Sequence, residues 1–148
     1  MYNDCGQAAD RLRIDPKGLR EVRTILVVED DDTILTVLKT ALKRQGYETL
    51  EARTAEEARK VCDGHIGNLD LLVTNVMLPR ESGPEFASDV SATDPKLKII
   101  FVSGTPMEGW SEAEFKAMAK LPAGSYAFIA KPFKPQELIR KIEELLQK

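Results

Sequence analysis

Short apolar runs recur along the chain from Thr24 onward, and stretches with helical spacing separate them. Three runs consist almost entirely of large or β-branched apolar residues, which is typical of strands buried on both faces of a parallel sheet. They are residues 25–28, 71–74 and 99–102. Residues 47–52 alternate polar and apolar side chains and predict an edge strand, and residues 126–130 predict a fifth strand.

Five stretches with helical spacing follow the five runs. Gly46 ends the first of them, and Thr54 with Glu57 forms a capping-box pair that predicts the start of the second. Pro84 suits the first turn of the third, where a missing N–H costs nothing. The remaining helix-start signals are Ser111 with Glu114 for the fourth helix and Pro135 for the fifth.

Five strands alternating with five helices predict an α/β domain whose parallel sheet is covered on both faces. Each crossover is expected to be right-handed. Residues 1–22 are polar, mixed in charge and interrupted by Pro16 and Gly18, so they predict a flexible leader or the end of a linker. The folded domain is therefore expected to span residues 23–148.

Length and composition narrow the function. A chain of 148 residues is long enough for one domain with a real core. The net charge of -3 argues against a nucleic-acid-binding surface, and no apolar run is long enough to cross a bilayer or to act as a secretory signal. Cys5 and Cys62 form neither a CxxC pair nor a disulfide framework. These features predict a reduced, cytoplasmic domain without metal-binding cysteines.

Polar side chains of particular chemistry stand at the ends of four predicted strands. Glu29 and Asp30 follow the first strand, Asn75 the third, Ser103 ends the fourth and Lys131 follows the fifth. Ligands of open parallel sheets bind beyond the carboxyl ends of the strands, where strand order reverses. Carboxylates suit Mg²⁺, while an ammonium group and a hydroxyl suit a phosphoryl group. The set predicts a magnesium and phosphoryl site.

Each of these signals has an ordinary alternative. Asp30, Asp31 and Asp32 could serve the first helix through its dipole, with one of them as the N-cap. Lys131 could be a surface lysine, and Ser103 a turn residue. Their joint placement at the strand ends of one predicted sheet favours a functional site.

Four ordered blocks give the chain a clear resemblance to a known family. They read Ile-Leu-Val-Val-Glu-Asp-Asp, Leu-Val-Thr-Asn-Val-Met-Leu-Pro-Arg-Glu-Ser-Gly-Pro-Glu, Phe-Val-Ser-Gly and Ala-Lys-Pro-Phe. In this order and spacing, over residues 24 to 147, the chain resembles a response-regulator receiver domain. It is similar to receivers that are fused to, or work with, hybrid sensor kinases. The resemblance implies a flavodoxin-like (βα)5 three-layer sandwich with strand order 2-1-3-4-5.

The resemblance also implies roles for the strand-end residues. Glu29 and Asp30 match the metal-binding acidic pair, and the carbonyl of Met77 matches a further magnesium ligand. Asn75 falls at the phosphoacceptor position, where an aspartate is expected. The other implied roles are a switch hydroxyl for Ser103, a phosphate-contacting lysine for Lys131, a cis peptide for Lys131–Pro132 and a switch aromatic for Phe128.

Asn75 changes the predicted chemistry of this site. An amide lacks the charged, in-plane lone pair with which a carboxylate attacks, so we expect no phosphorylation there and no enzymatic activity. Mg²⁺ binding is expected to be weak, with Asn75 offering an amide oxygen. The chain fits either a natural pseudo-receiver or a receiver with a substituted acceptor. The alternative is a small Mg²⁺-dependent phosphatase or phosphotransferase using Asp30 and Asp32.

Without phosphorylation, the resemblance implies action through protein contacts. The expected partner is a histidine kinase or a downstream signalling protein, and neither nucleic acid nor membrane is expected. The contact face is predicted to be that of helix 4, strand 5 and helix 5, including Phe115, Met118 and residues 125–127, or that of helix 1. Trp110 is interpreted as a cap on the core, with a partner-facing anchor as the alternative.

Overall fold

The computed structural model describes residues 22–104 and 110–147, in which strands and helices alternate. The predicted leader, residues 1–22, lies outside these ranges apart from Val22. The strands are β1 (Thr24–Val28), β2 (Glu48–Ala52), β3 (Leu71–Asn75), β4 (Lys98–Ser103) and β5 (Tyr126–Ala130). The helices are α1 (Asp32–Arg44), α2 (Ala55–Gly64), α3 (Gly83–Thr93), α4 (Glu112–Ala119) and α5 (Pro135–Leu146).

All five strands are parallel and lie in the order β2-β1-β3-β4-β5. The expected flavodoxin-like architecture and strand order are confirmed. The polar, alternating strand β2 lies at one edge, as predicted, and the buried β1, β3 and β4 lie inside. The order reverses between β1 and β3, so the chain leaves these two strands toward opposite sides and opens a crevice at their carboxyl ends.

Two apolar layers cover the sheet because successive side chains of a strand point to opposite faces. On β1, Leu26 and Val28 face the layer formed with α2, α3 and α4. Ile25 and Val27 face the layer formed with α1 and α5. The strands are thus buried on both sides, which explains their continuous apolar sequences.

Local signals in the sequence account for most helix ends. Asp31 is the N-cap of α1, and its carboxylate accepts from the backbone N–H groups of Thr33 and Ile34. Ser111 and Glu114 form the complete capping box of α4. The pair at α2 is only half as predicted: Thr54 caps Glu57 N, but the Glu57 carboxylate accepts from Arg53 N, one residue before the N-cap.

Other predicted features of the backbone are also present. Gly46 follows the end of α1 with a φ of 92°, a conformation that glycine adopts without strain. The Lys131–Pro132 peptide is cis, as expected. Among the described residues, no helix is sufficiently long and apolar to span a bilayer.

Candidate functional site

The carboxyl edge of the sheet brings the predicted polar residues together. Glu29 and Asp30 follow β1 directly, Asn75 is the last residue of β3, Ser103 is the last of β4, and Lys131 follows β5. The parallel register places Asn75 beside Val102, and Lys131 N donates to the backbone carbonyl of Ser103 at 2.9 Å. The ends of four strands therefore carry the predicted residues at one edge of the sheet.

Glu29 and Asn75 form the buried centre of this site. The Asn75 amide nitrogen donates to Glu29 Oε2 at 2.9 Å and faces Asp30 Oδ1 at 3.4 Å. Glu29 Oε2 also accepts from the backbone N–H of Asp31 at 3.1 Å, and Lys131 Nζ lies 3.5 Å from Glu29 Oε1. Only 2% of Glu29 and 5% of Asn75 is exposed, whereas Asp30 lies on the surface. Burial makes the partners of the Glu29 carboxylate necessary.

The backbone of Asn75 is held by its surroundings. Its carbonyl accepts from the Thr74 hydroxyl at 3.1 Å. The next residue, Val76, donates to Val102 O at 3.0 Å and accepts from Gly83 N at 2.7 Å. A Cβ at Gly83 would stand 2.1 Å from the Asn75 carbonyl oxygen. Gly83 therefore has a steric reason to be glycine, which the sequence prediction did not identify.

The loop after β3 is held by a bridge between its two ends and by hydrogen bonds from an arginine that also contacts a second helix. Met77 pairs with Ser82 in an isolated antiparallel bridge, and its side chain is 66% exposed. The Arg59 guanidinium on α2 bonds to Glu81 in this loop and, at 2.8 Å, to Asp89 on α3. The guanidinium also lies 5.4 Å from the centre of the buried Phe86 ring. Arg59 was missed at the sequence level because its partners lie 22 and 30 residues away.

The site residues do not fit a divalent cation in this arrangement. A magnesium site needs oxygen ligands, but the Asn75 amide presents its N–H group to both carboxylates. Among residues 22–104 and 110–147, no group of three or more His, Cys, Asp or Glu side chains could hold a metal. In the alternative that uses Asp30 and Asp32, Asp32 is engaged elsewhere, since its Oδ1 pairs with Arg53 Nε at 2.6 Å.

Phe128 lies in an aromatic cluster behind the site, on the α2–α3–α4 side of the sheet. Its ring stacks on Phe101 at 5.5 Å and meets Trp110 at 5.6 Å and Tyr126 at 5.8 Å. Trp110 is 8% exposed and also contacts Phe115 at 5.6 Å. This burial favours Trp110 as a cap on the core. Residues 105–109 just before it lie outside the described part of the chain.

Two residues of the predicted partner face were placed wrongly. Met118 is 8% exposed and packs in the core, and Ser125 is 4% exposed, with its hydroxyl donating to Pro122 O at 2.6 Å. For Met118, helical spacing gives the period of α4 but not which of its residues face the sheet. Phe115 does face outward, with 46% of its surface exposed.

Cys62 behaves as a core residue. It is 6% exposed on α2, and burial, with a smaller contribution from Asp63, raises the pKa of its thiol to about 11. His65 at the end of α2 has Nδ1 2.8 Å from Val61 O. Both residues lie near the carboxyl end of α2, whereas the site lies at the carboxyl ends of the strands.

Comparisons with known proteins point to one family. Residues 25–143 match the family described as response regulator receiver domain. The chain is 32% identical over 126 residues to the sensor kinase CckA of Brucella abortus, covering 84% of this chain and 13% of the kinase. It is 32% identical over 124 residues to the transcriptional regulatory protein CssR of Bacillus subtilis, covering 84% of this chain and 51% of that protein.

A solved structure of a receiver domain protein has a similar fold. The CheY-like receiver domain protein from Methanospirillum hungatei superposes with a TM-score of 0.73 at 29% identity, covering 86% of this chain and 95% of the other. The chain thus spans a small part of the kinase and about half of the regulator, but nearly all of this isolated domain.

Proposed function

Because this chain belongs to the family of response regulator receiver domains of two-component systems, we propose that it is a pseudo-receiver, a signalling module that takes no phosphoryl group at its acceptor position, Asn75. One observation carries the proposal. An amide stands at the end of β3, in contact with Glu29 and Asp30 and with Lys131 nearby, where the chemistry calls for a carboxylate. The same proposal covers a receiver in which the acceptor was substituted.

The chemistry of the amide supports this proposal. Attack on a phosphohistidine or an acyl phosphate needs a negatively charged oxygen, and the Asn75 amide carries no charge. Its nitrogen lone pair is delocalised into the carbonyl, and its N–H groups are donated to Glu29 and Asp30. We propose that Ser103 and Lys131 keep positions suited to a phosphoryl group, although Asn75 does not accept one. The domain then has no enzymatic step of its own.

Phosphoryl transfer to the intact chain tests this proposal directly. The chain and the variant Asn75→Asp are incubated with acetyl phosphate and Mg²⁺, their intact masses are measured, and any adduct is located by peptide mass mapping. We expect no phosphoryl adduct on the unaltered chain. A stoichiometric adduct at Asn75 would overturn the proposal, and one at Thr74 or Ser103 would move the acceptor elsewhere. An adduct on Asn75→Asp alone would mean that the site lacks only its nucleophile.

The output is proposed to be a protein contact. Receiver domains interact with histidine kinases and other signalling proteins, and one relative is a sensor kinase. Two exposed apolar side chains stand on the two proposed faces: Val37 on α1, 48% exposed, and Phe115 on α4, 46% exposed. Ile66, before β3, is 45% exposed on neither face, so it provides a matched control.

Pull-down with three variants separates the two faces. Val37→Glu, Phe115→Glu and Ile66→Glu each add one charge at a similarly exposed position, and each is first checked for an unchanged unfolding midpoint. We expect either the first or the second variant to lose a kinase or signalling partner that the Ile66 variant retains. Retention of every partner by all three variants would exclude both faces.

A further inference from the structure

The Asn75 side chain occupies the position between two carboxylates that a cation would otherwise bridge. Receiver domains typically bind Mg²⁺. We infer that the Asn75 amide replaces the cation between Glu29 and Asp30, so that the site keeps its arrangement without metal and does not respond to Mg²⁺. The inference rests on the proposed function, because both follow from the amide, but it concerns cation binding and not phosphoryl transfer.

The geometry of one nitrogen atom supports the replacement. Nδ2 of Asn75 lies 2.9 Å from Glu29 Oε2 and 3.4 Å from Asp30 Oδ1, so one NH₂ group faces both acids. An amide NH₂ has two hydrogens and can serve both oxygens at once. Hydrogen bonds to ionised carboxylates are stronger than those between neutral groups. The amide thus provides the bridging that a cation provides, without carrying charge.

The charge balance of the site works without a cation. Glu29 is buried, and its carboxylate has three partners: the Asn75 amide, the backbone N–H of Asp31 and the Lys131 ammonium. Asp30 is exposed and keeps contact with water. An aspartate at position 75 would remove one donor and add a third negative charge, which would make a cation favourable again.

The amide has little freedom to turn and become a ligand. Rotation by half a turn would point Oδ1 at two carboxylate oxygens and break both N–H contacts, which is electrostatically unfavourable. The side chain is 95% buried, and its backbone is packed against Gly83. A cation would therefore have to displace the donor and reverse the amide before it could bind.

Calorimetric titration and thermal unfolding with Mg²⁺ test the inference. The full chain is compared with Asn75→Asp and with Asn68→Asp. The Asn68 variant adds the same charge just before the amino end of β3, whereas Asn75 is at the carboxyl end of that strand. We expect the chain and the Asn68 variant to show no binding heat and no Tm shift in millimolar Mg²⁺. Asn75→Asp is expected to bind Mg²⁺ at least ~10-fold more tightly and to gain Tm.

Two results would overturn the inference. One is the lack of any difference in Mg²⁺ binding between the unaltered chain and Asn75→Asp, whether both of them bind the ion or neither does. The other is a Mg²⁺-dependent shift of the side-chain NH₂ resonances of Asn75, which decides the question even where the variant fails to fold. The two proposals fail separately: Mg²⁺ binding without phosphorylation would overturn this inference alone, and a phosphoryl adduct at Asn75 would overturn the proposed function.

Discussion

Gly83 packs so closely against the main chain of Asn75 that no larger residue fits there. A Cβ at this position would approach the Asn75 carbonyl oxygen to 2.1 Å and Val76 Cα to 3.1 Å, both of which are backbone atoms. Replacing Gly83 by alanine should push the start of α3 away from the end of β3. We expect Gly83→Ala to lower the free energy of unfolding by about 1–3 kcal/mol, measured by denaturant titration.

Gly64 provides the matched control for this substitution. It is the last residue of α2, and a Cβ there would meet nothing within 4 Å. Gly64→Ala should leave the stability unchanged or raise it slightly, because alanine favours the helix. If the two variants had equal stability, Gly83 would not hold the loop as described.

Individual site residues differ in how far the sequence could predict them. Glu29, Asn75 and Lys131 could be placed together because the ends of parallel strands meet at one edge of the sheet. The direction of the Asn75 amide could not, since it depends on which atoms surround it in three dimensions. Arg59 likewise has no local signal for its pairing with Glu81, 22 residues away.

The segment before α4 is tied to β5 through aromatic rings. Trp110 precedes the N-cap of α4 and meets the Phe128 ring of β5 at 5.6 Å, with an interplanar angle of 52°. Phe128 in turn stacks on Phe101 of β4. Trp110 thus packs against the ring that the family resemblance identifies as the switch aromatic, and it is expected to hold that ring against the core.

A double-mutant cycle measures this contact. Trp110→Leu and Phe128→Leu are made singly and together, and the free energies of unfolding are determined with denaturant. Each single variant should be destabilised, and the pair should show a coupling of about 0.5–1.5 kcal/mol, as found for packed aromatic rings.

A second cycle supplies the control. Leu138 lies on α5, in the layer on the other side of the sheet from Trp110. Trp110→Leu combined with Leu138→Ala should be additive within ~0.5 kcal/mol. Equal coupling in both cycles would mean that the Trp110–Phe128 contact has no specific role.

The ends of the helices were predicted better than their faces. Capping residues act on the nearest backbone groups, so Ser111 with Glu114 and Asp31 could be read from sequence neighbours alone. The orientation of α4 depends instead on its packing against α3 and the sheet. Phe115 faces outward, as predicted, whereas Met118, predicted for the same face, is buried. The sequence pattern of α4 does not give this orientation.

Both apolar layers share one sheet, which ties the stability of the whole domain together. Each interior strand contributes alternate side chains to the two layers, as Leu26 and Ile25 do on β1. Loss of either layer would expose one face of every strand to water. The alternation of strands and helices made this architecture predictable, because few other arrangements bury continuous apolar strands on both faces.

Cooperativity between the layers can be tested from one side of the sheet. Ile142 on α5 is fully buried in the α1–α5 layer, and Trp110, the chain's one tryptophan, reports on the opposite layer by fluorescence. Ile142→Ala should lower stability by about 2–5 kcal/mol. Because the sheet is shared, we expect Trp110 fluorescence and far-UV circular dichroism to shift to the same lower midpoint.

An exposed position on the same helix separates packing from helix propensity. Glu144→Ala should change stability by less than ~0.5 kcal/mol, since Glu144 lies on the surface of α5. A fluorescence transition in Ile142→Ala that stays at the midpoint of the unaltered chain, while the dichroism shifts, would mean that the layers unfold independently. The Trp110 side of the sheet could then change its packing without involving α5, and contacts on the α4 face would be uncoupled from those on the α1 face.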